Sequence, residues 1–234
     1  MQLKYKRVII KISGEALMSE KEQPLDFDIV GKVADQLIEI ANMGAQIGII
    51  IGGGNIWRGR SGGDMDRVQA DHMGMLATVI NALALQDALQ RKGQPARVLT
   101  AIDMPQVAER YVRGRAVKHL EKNRIVIFAG GTGNPFFSTD TGAALRAAEM
   151  NVKLLLLAKN VDAVYTADPK IDPNAKRIDN ISYIEIIEKG YTLMDYSALT
   201  LCMDNGIPIM VFGLGEKDGI KRAVCGEKIG TLIK

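Results

Sequence analysis

The sequence predicts a three-layer α/β/α sandwich around a mainly parallel central sheet, on three observations. Short β-branched runs alternate with stretches of helical periodicity along the chain. Runs such as Leu154-Leu155-Leu156-Leu157 are apolar at every position, as in strands covered on both faces. Glycine-rich turns directly follow strands, at the carboxyl edge where parallel sheets place ligands.

The elements follow in order. Val8-Ile9-Ile10-Lys11-Ile12 reads as a buried strand entering a Ser13-Gly14 turn, so it delivers Lys11 to a loop. Phe27, Val30, Val33, Ala34, Leu37, Ile40 and Ala41 recur at helical spacing, and Asn42-Met43-Gly44 stops that helix. A strand over residues 47–51 ends at Gly52 and completes a βαβ unit. The long helix over residues 73–89 is interrupted by Thr78, Asn81, Gln86 and Asp87, too broken to span a membrane. Further strands are predicted at 96–100, 124–129, 152–158 and 207–212, with helices between them. Residues 1–234 read as a single domain. A lobe change near 142–153 separates an N-terminal lobe of about residues 1–150 from a C-terminal lobe of about 151–234.

Composition bounds the function. The 234 residues can bury a substantial core, and 24 glycines exceed the average usage of about 7%, which points to tight turns and ligand loops. A net charge of +3, with Lys and Arg dispersed, marks no nucleic-acid groove and suits a small anionic ligand. Cys202 and Cys225 read as reduced, buried thiols, which together with the absence of a visible export signal favours the cytoplasm. His72 and His119 are far apart and no Cys, His or carboxylate cluster has ligand spacing, so no metal held by protein alone is expected; His72 reads as structural. Neither GxxxxGK[ST] nor a strand-linked GxGxxG occurs, which weakens P-loop kinases and dinucleotide-binding dehydrogenases.

Two glycine-rich loops carry the chemistry. Gly130-Gly131-Thr132-Gly133-Asn134-Pro135-Phe136-Phe137-Ser138-Thr139-Asp140-Thr141 runs from a strand into a helix. Its glycines open backbone N–H groups to an anion, and Ser138, Thr139 and Thr141 add hydroxyl donors at the helix's positive end. Gly52-Gly53-Gly54-Asn55 follows another strand, and Arg58 offers a planar cationic fork for phosphate oxygens, with a surface salt bridge as the alternative. Two anion sites suggest a phosphate donor and a phosphate acceptor. Lys11, costly to bury alone, needs a structural salt bridge or a phosphate, with Ser13 and Gly14 as a backbone cradle. Asp71 reads either as a helix-dipole partner or as an acceptor for a ribose hydroxyl. In Asn160-Val161-Asp162-Ala163-Val164-Tyr165-Thr166-Ala167-Asp168-Pro169, Tyr165 can stack on a base and Asp168 accept from a ribose; an ordinary loop of Asx turns is the alternative.

Taken together, these motifs resemble the bacterial UMP kinases of the amino acid kinase superfamily. The resemblance runs in order through Lys11-Ile12-Ser13-Gly14-Glu15-Ala16-Leu17, Gly52-Gly53-Gly54-Asn55 with Arg58, Asp71-His72-Met73-Gly74-Met75-Leu76-Ala77-Thr78 and Gly131 to Phe137. It continues through Asp162 to Pro169, Met194-Asp195 and Gly226-Glu227-Lys228-Ile229-Gly230-Thr231. It implies an amino acid kinase-like fold and reversible phosphoryl transfer from ATP, with Mg²⁺, to UMP in pyrimidine nucleotide biosynthesis. By the same resemblance Lys11, Ile12, Ser13, Gly14, Gly54 and Arg58 would hold the ATP phosphates, and Lys159 or Asn160 with Tyr165 and Asp168 the adenosine. Gly53, Asp71, Thr132, Gly133, Asn134, Pro135, Phe136, Phe137, Ser138 and Thr139 would hold UMP, and Asp140 and Asp195 would join Lys11 and Arg58 as catalytic residues that orient lysines or magnesium waters. A homohexamer under nucleotide control, with UTP as inhibitor, is implied as well.

Two departures limit that transfer. The segment Met18-Ser19-Glu20-Lys21-Glu22-Gln23-Pro24-Leu25-Asp26 lacks the family's glycine-containing stretch tied to effector response, which leaves GTP activation open. The loop Ala158-Lys159-Asn160-Val161-Asp162 is one residue shorter than in many relatives, which leaves the choice between Lys159 and Asn160 open. The alternatives are a same-fold kinase of a carboxylate or carbamate, and a non-catalytic uridine-nucleotide sensor.

Overall fold

The computed structural model describes residues 2–19, 23–58, 64–167, 169, 171–191 and 193–234. In chain order, β1 (Arg7–Ile12), a 3₁₀ turn (Gly14–Leu17), α1 (Phe27–Asn42) and β2 (Gln46–Ile51) form the first βαβ unit. Then come α2 (Arg67–Arg91), β3 (Ala96–Thr100), β4 (Glu109–Arg110), α3 (Arg113–Glu121) and β5 (Ile125–Ala129). They are followed by α4 (Thr139–Glu149), β6 (Leu155–Lys159), β7 (Val164–Tyr165), β8 (Arg177–Ile178), β9 (Asn180–Ile181) and α5 (Tyr183–Lys189). The last are α6 (Tyr196–Asp204), β10 (Ile209–Gly213), α7 (Gly219–Val224) and β11 (Thr231–Ile233).

Among the described residues nine strands form one sheet in the order β4-β3-β5-β2-β1-β6-β10-β11-β9, and β7 and β8 make a separate ribbon. Within the large sheet only the β10–β11 pairing is antiparallel. The order reverses at β1, which pairs with β2 on one side and β6 on the other, so one sheet spans both sides of residue 150. A ligand crevice is expected at that reversal, beyond the carboxyl ends of the strands.

Period-2 alternation sorts the strand residues between two cores. Val8, Ile10, Ile12, Ile47, Ile49 and Ile51 pack under α1, α2 and α7, while Ile9, Ile50, Leu155 and Leu157 pack under α3 to α6. The result is the expected three-layer sandwich. Lys11 and Lys159 share the parity of Ile9 and Leu157, so both face the α4 side at the carboxyl edge. Side-chain caps fix helix starts: Asp26 accepts the N–H groups of Asp28 and Ile29, and Ser138 those of Asp140 and Thr141.

Several boundaries differ from the sequence reading. The helix expected from residue 73 begins at Arg67, because Asp66 caps it by accepting the Gln69 N–H. The short strands β4, β7, β8, β9 and β11 carry too few residues for a readable alternation. Cys202 is buried, and burial pushes its thiol pKa up to about 12, but Cys225 is half-buried rather than buried, at the end of α7; neither is in a disulfide. His72 is exposed on α2 and does not fill the structural role expected of it, whereas the buried histidine is His119, held between Glu109 and Arg124.

The turn after β1 approaches the turn after β2 so closely that a Cβ on Gly14 would meet the Gly52 carbonyl carbon at 2.9 Å and press on the Asn55 side chain. Gly14→Ala is therefore expected to destabilise the fold by about 1–3 kcal/mol in urea unfolding, as other overpacked sites do. An unchanged midpoint and slope would contradict this close approach.

Candidate active site

The ends of β1, β2, β5 and β6 and the N-terminus of α4 lie at the carboxyl edge. Lys11 Nζ lies 2.7 Å from Asp140 Oδ1, with 9% and 15% of the two side chains exposed. Asp140 stands in the first turn of α4, where the helix dipole favours a carboxylate. Lys159, at the end of β6, donates to the Leu193 carbonyl and interacts with both Asp140 and Lys11. Burial holds the Lys159 pKa below the ordinary lysine range, Asp140 raises it and Lys11 lowers it. With both lysines protonated, two cations face one carboxylate, which leaves positive charge for an anion.

The loop after β5 wraps the other side. Gly130, Gly131 and Gly133 have positive φ, as does Phe136, which turns its N–H to donate to Asp71 Oδ2 at 2.8 Å. Arg67 donates to the same oxygen at 2.8 Å and lies over the Phe136 ring at 5.6 Å. Asp71 thus holds the loop, in addition to any ligand contact.

Asp195 joins two helix starts. Its carboxylate accepts from Ser138 Oγ, from Thr141 Oγ1 at 2.9 Å and from the Ala198 N–H at 2.8 Å, so it caps α6 and ties it to α4. The hydroxyls of Ser138 and Thr141, expected as free anion donors, are therefore directed at Asp195. A cavity of about 310 Å³ lies between the loops, lined among others by Gly53, Gly54, Arg58, Asp71, Thr132 and Ser138. Phe136, Phe137 and Thr139 also border it.

Arg58 pairs with Glu15 at the surface and donates to the Gly54 carbonyl at 3.5 Å, which is the salt-bridge alternative of the sequence reading. Tyr165 donates to Asp162 at 2.9 Å and borders two cavities of about 470 and 540 Å³, both of which include Lys159. Asn160 lines the second of these. Asp168 lies outside the described residues. Gly133, Asn134 and Pro135 belong to the loop but not to the cavity lining.

Sequence reasoning missed Thr78, Asn81, Arg67 and the Leu193 carbonyl. Asn81 was visible only as a polar break in an apolar helix, and Thr78 as such a break and as the last residue of a motif shared with the family. Among the described residues no cluster of three or more His, Cys, Asp or Glu could hold a metal ion. No helix among them is long and apolar enough to cross a membrane.

A parallel sheet whose order reverses at a lysine-bearing strand, with glycine-rich turns after β2 and β5 on one side of the reversal, is an arrangement in which an α/β protein holds an anionic ligand. The chain belongs to the amino acid kinase family, whose pattern it matches over residues 6–213. Among solved structures it is similar to a UMP kinase from Bacillus anthracis, with 41% identity, a TM-score of 0.95, and 98% of this chain and 96% of that chain covered. A UMP kinase from Ureaplasma parvum gives 37%, 0.94, and 99% and 100%. A uridylate kinase from Archaeoglobus fulgidus gives 27%, 0.72, and 97% and 99%.

Asp195→Ala removes a helix cap and leaves Ser138 and Thr141 without their acceptor. A loss of about 1–3 kcal/mol in urea unfolding is expected. Wild-type stability in that variant would show that α4 and α6 are held together by other contacts.

Proposed function

We propose that this chain transfers a phosphoryl group from ATP to UMP, giving ADP and UDP. The observation that carries this reading is the near-full-length likeness to two UMP kinases at 41% and 37% identity. The cavity between Asp71 and the loop of residues 131–139 fits the acceptor. The cavities beside Tyr165 and Lys159 fit the adenosine of the donor, so UMP would lie on the side of residues 1–150 and ATP on that of 151–234.

The mechanism follows from charge. The attacking group is a phosphate oxygen, and with a second pKa of about 6 it is already ionised at neutral pH, so no general base is required. Lys11 and Lys159 would neutralise the phosphates that meet at the strand edge, and Asp140 would hold Lys11 in place. Arg58 would exchange Glu15 for phosphate oxygens. Alignment of the two phosphates supplies the remainder. Mg²⁺ would arrive on ATP and neutralise charge on its phosphates. Asp140 would meet it through its other carboxylate oxygen, since Oδ1 is buried against Lys11.

The exposed side chains of Met73, Leu76 and Ile80 form an apolar stripe on α2, at helical spacing. We propose that it is covered by another copy of the chain in a homo-oligomer, a homohexamer by the family resemblance.

ADP release from ATP, measured with UMP, CMP, aspartate, glutamate or carbamate as acceptor, tests the reaction. UMP-dependent turnover is expected, and turnover independent of UMP would overturn the reading. In the same assay Lys11→Ala is expected to lower kcat by orders of magnitude with little change in UMP affinity; unaltered turnover would remove Lys11 from the mechanism.

A further inference from the structure

One face of α2 runs past both glycine loops. Residues 71, 74, 78 and 81 recur at helical spacing and so share that face. Asp71 accepts the Phe136 N–H, and the Gly74 carbonyl would lie 2.8 Å from a Cβ on Gly53. Thr78 and Asn81 continue the series deeper in the molecule, with 3% and 0% of their surface exposed.

Thr78 Oγ1 accepts the Gly130 N–H at 2.9 Å. Its own proton is given to the Met75 carbonyl at 2.6 Å, so the rotor is fixed and the oxygen faces Gly130 only as an acceptor. Asn81 Nδ2 donates to the Gly52 carbonyl at 2.7 Å and to Asn55 Oδ1 at 2.8 Å. Asn55 Nδ2 returns a bond to Asn81 Oδ1 at 3.0 Å and reaches the Pro24 carbonyl at 2.6 Å. Both anchors lie where water does not compete, and each grips a backbone group of a different loop.

We infer that Thr78 and Asn81 are positioning residues for the two substrates. Thr78 sets the acceptor loop through Gly130, and Asn81 sets, through Gly52, the turn at 52–55 that borders both substrates. Because both stand on one helix turn, the distance between the loops is fixed by α2 and not by the loops themselves. The kinetic part of this assignment rests on the ATP–UMP reading; the loop-anchoring part does not.

The test pairs kinetics with amide hydrogen exchange. Thr78→Val keeps the shape and removes the acceptor. It is expected to raise the KM for UMP about tenfold with the KM for ATP within twofold, and to speed exchange in residues 130–137 but not in 52–55. Asn81→Asp keeps the acceptor oxygen and removes the donor to Gly52. Both KM values are expected to rise in that variant, with exchange faster in residues 52–55 but not in 130–137. Thr78→Ser, which retains the hydroxyl, should restore both readouts to within about threefold of wild type. Equal changes in both KM values in Thr78→Val, exchange that rises across the whole chain in either variant, or no rescue by serine would overturn the proposal and leave these residues purely structural. If the wild type shows no UMP-dependent turnover, the function reading fails, and the exchange pattern alone decides the anchoring. If Thr78→Val does not fold, Thr78→Ala is read by the same two measurements.

Discussion

One buried and one half-buried lysine held around one carboxylate are the constraint on which the site is organised. Lys11 is the next-to-last residue of β1 and Lys159 the last of β6, neighbouring strands at the point where the strand order reverses. Their parity turns both toward Asp140 in the first turn of α4. An ammonium is costly to remove from water without a partner, and one carboxylate serves two lysines here. The unmet charge is the reason for an anion to bind at this edge. The Leu193 carbonyl lends Lys159 a further acceptor, but a neutral one that leaves the charge in place.

Around that centre the fold supplies rigidity through helices, not loops. Asp195 draws the starts of α4 and α6 together, so Asp140 cannot move without disturbing the cap of α6. α2 grips the loops at 52–55 and 130–136 from beneath. The glycines that give those loops access to an anion also give them freedom, and side-chain anchors on a 25-residue helix limit it. The proposed phosphoryl transfer needs two phosphates aligned, and this arrangement places the aligning elements on the scaffold.

What was legible in the sequence was local. β1, β2, β5, β6 and β10 follow from apolar runs, the glycine loops from composition, and Lys11 from its place at the end of a strand. Non-local features were not legible. The contact between Asp195 and Ser138 bridges 57 residues and depends on α4 meeting α6, and Asp140 and Asp195 entered only through family resemblance. Thr78 and Asn81 looked like interruptions of an apolar helix, because nothing in their own neighbourhood shows that Gly130 and Gly52 pack against them. Hydroxyls at the start of α4 were read as donors to an anion, but pattern alone cannot say that a carboxylate from another helix takes them.

The excess-charge account is tested most directly by the protons exchanged when a non-hydrolysable ATP analogue with Mg²⁺ binds, measured by calorimetry at pH values from 8 to 10.5 in buffers of different ionisation enthalpy. Phosphate, with a second pKa of about 6, is fully ionised there, so proton exchange reports on the protein. Burial lowers the Lys159 pKa and a nearby phosphate favours its charged form, so binding should take up protons. Lys159→Arg, with a permanent charge, should abolish that uptake while still binding the analogue. Binding without proton uptake in the wild type at every pH of that range, or undiminished uptake in Lys159→Arg, would contradict the account.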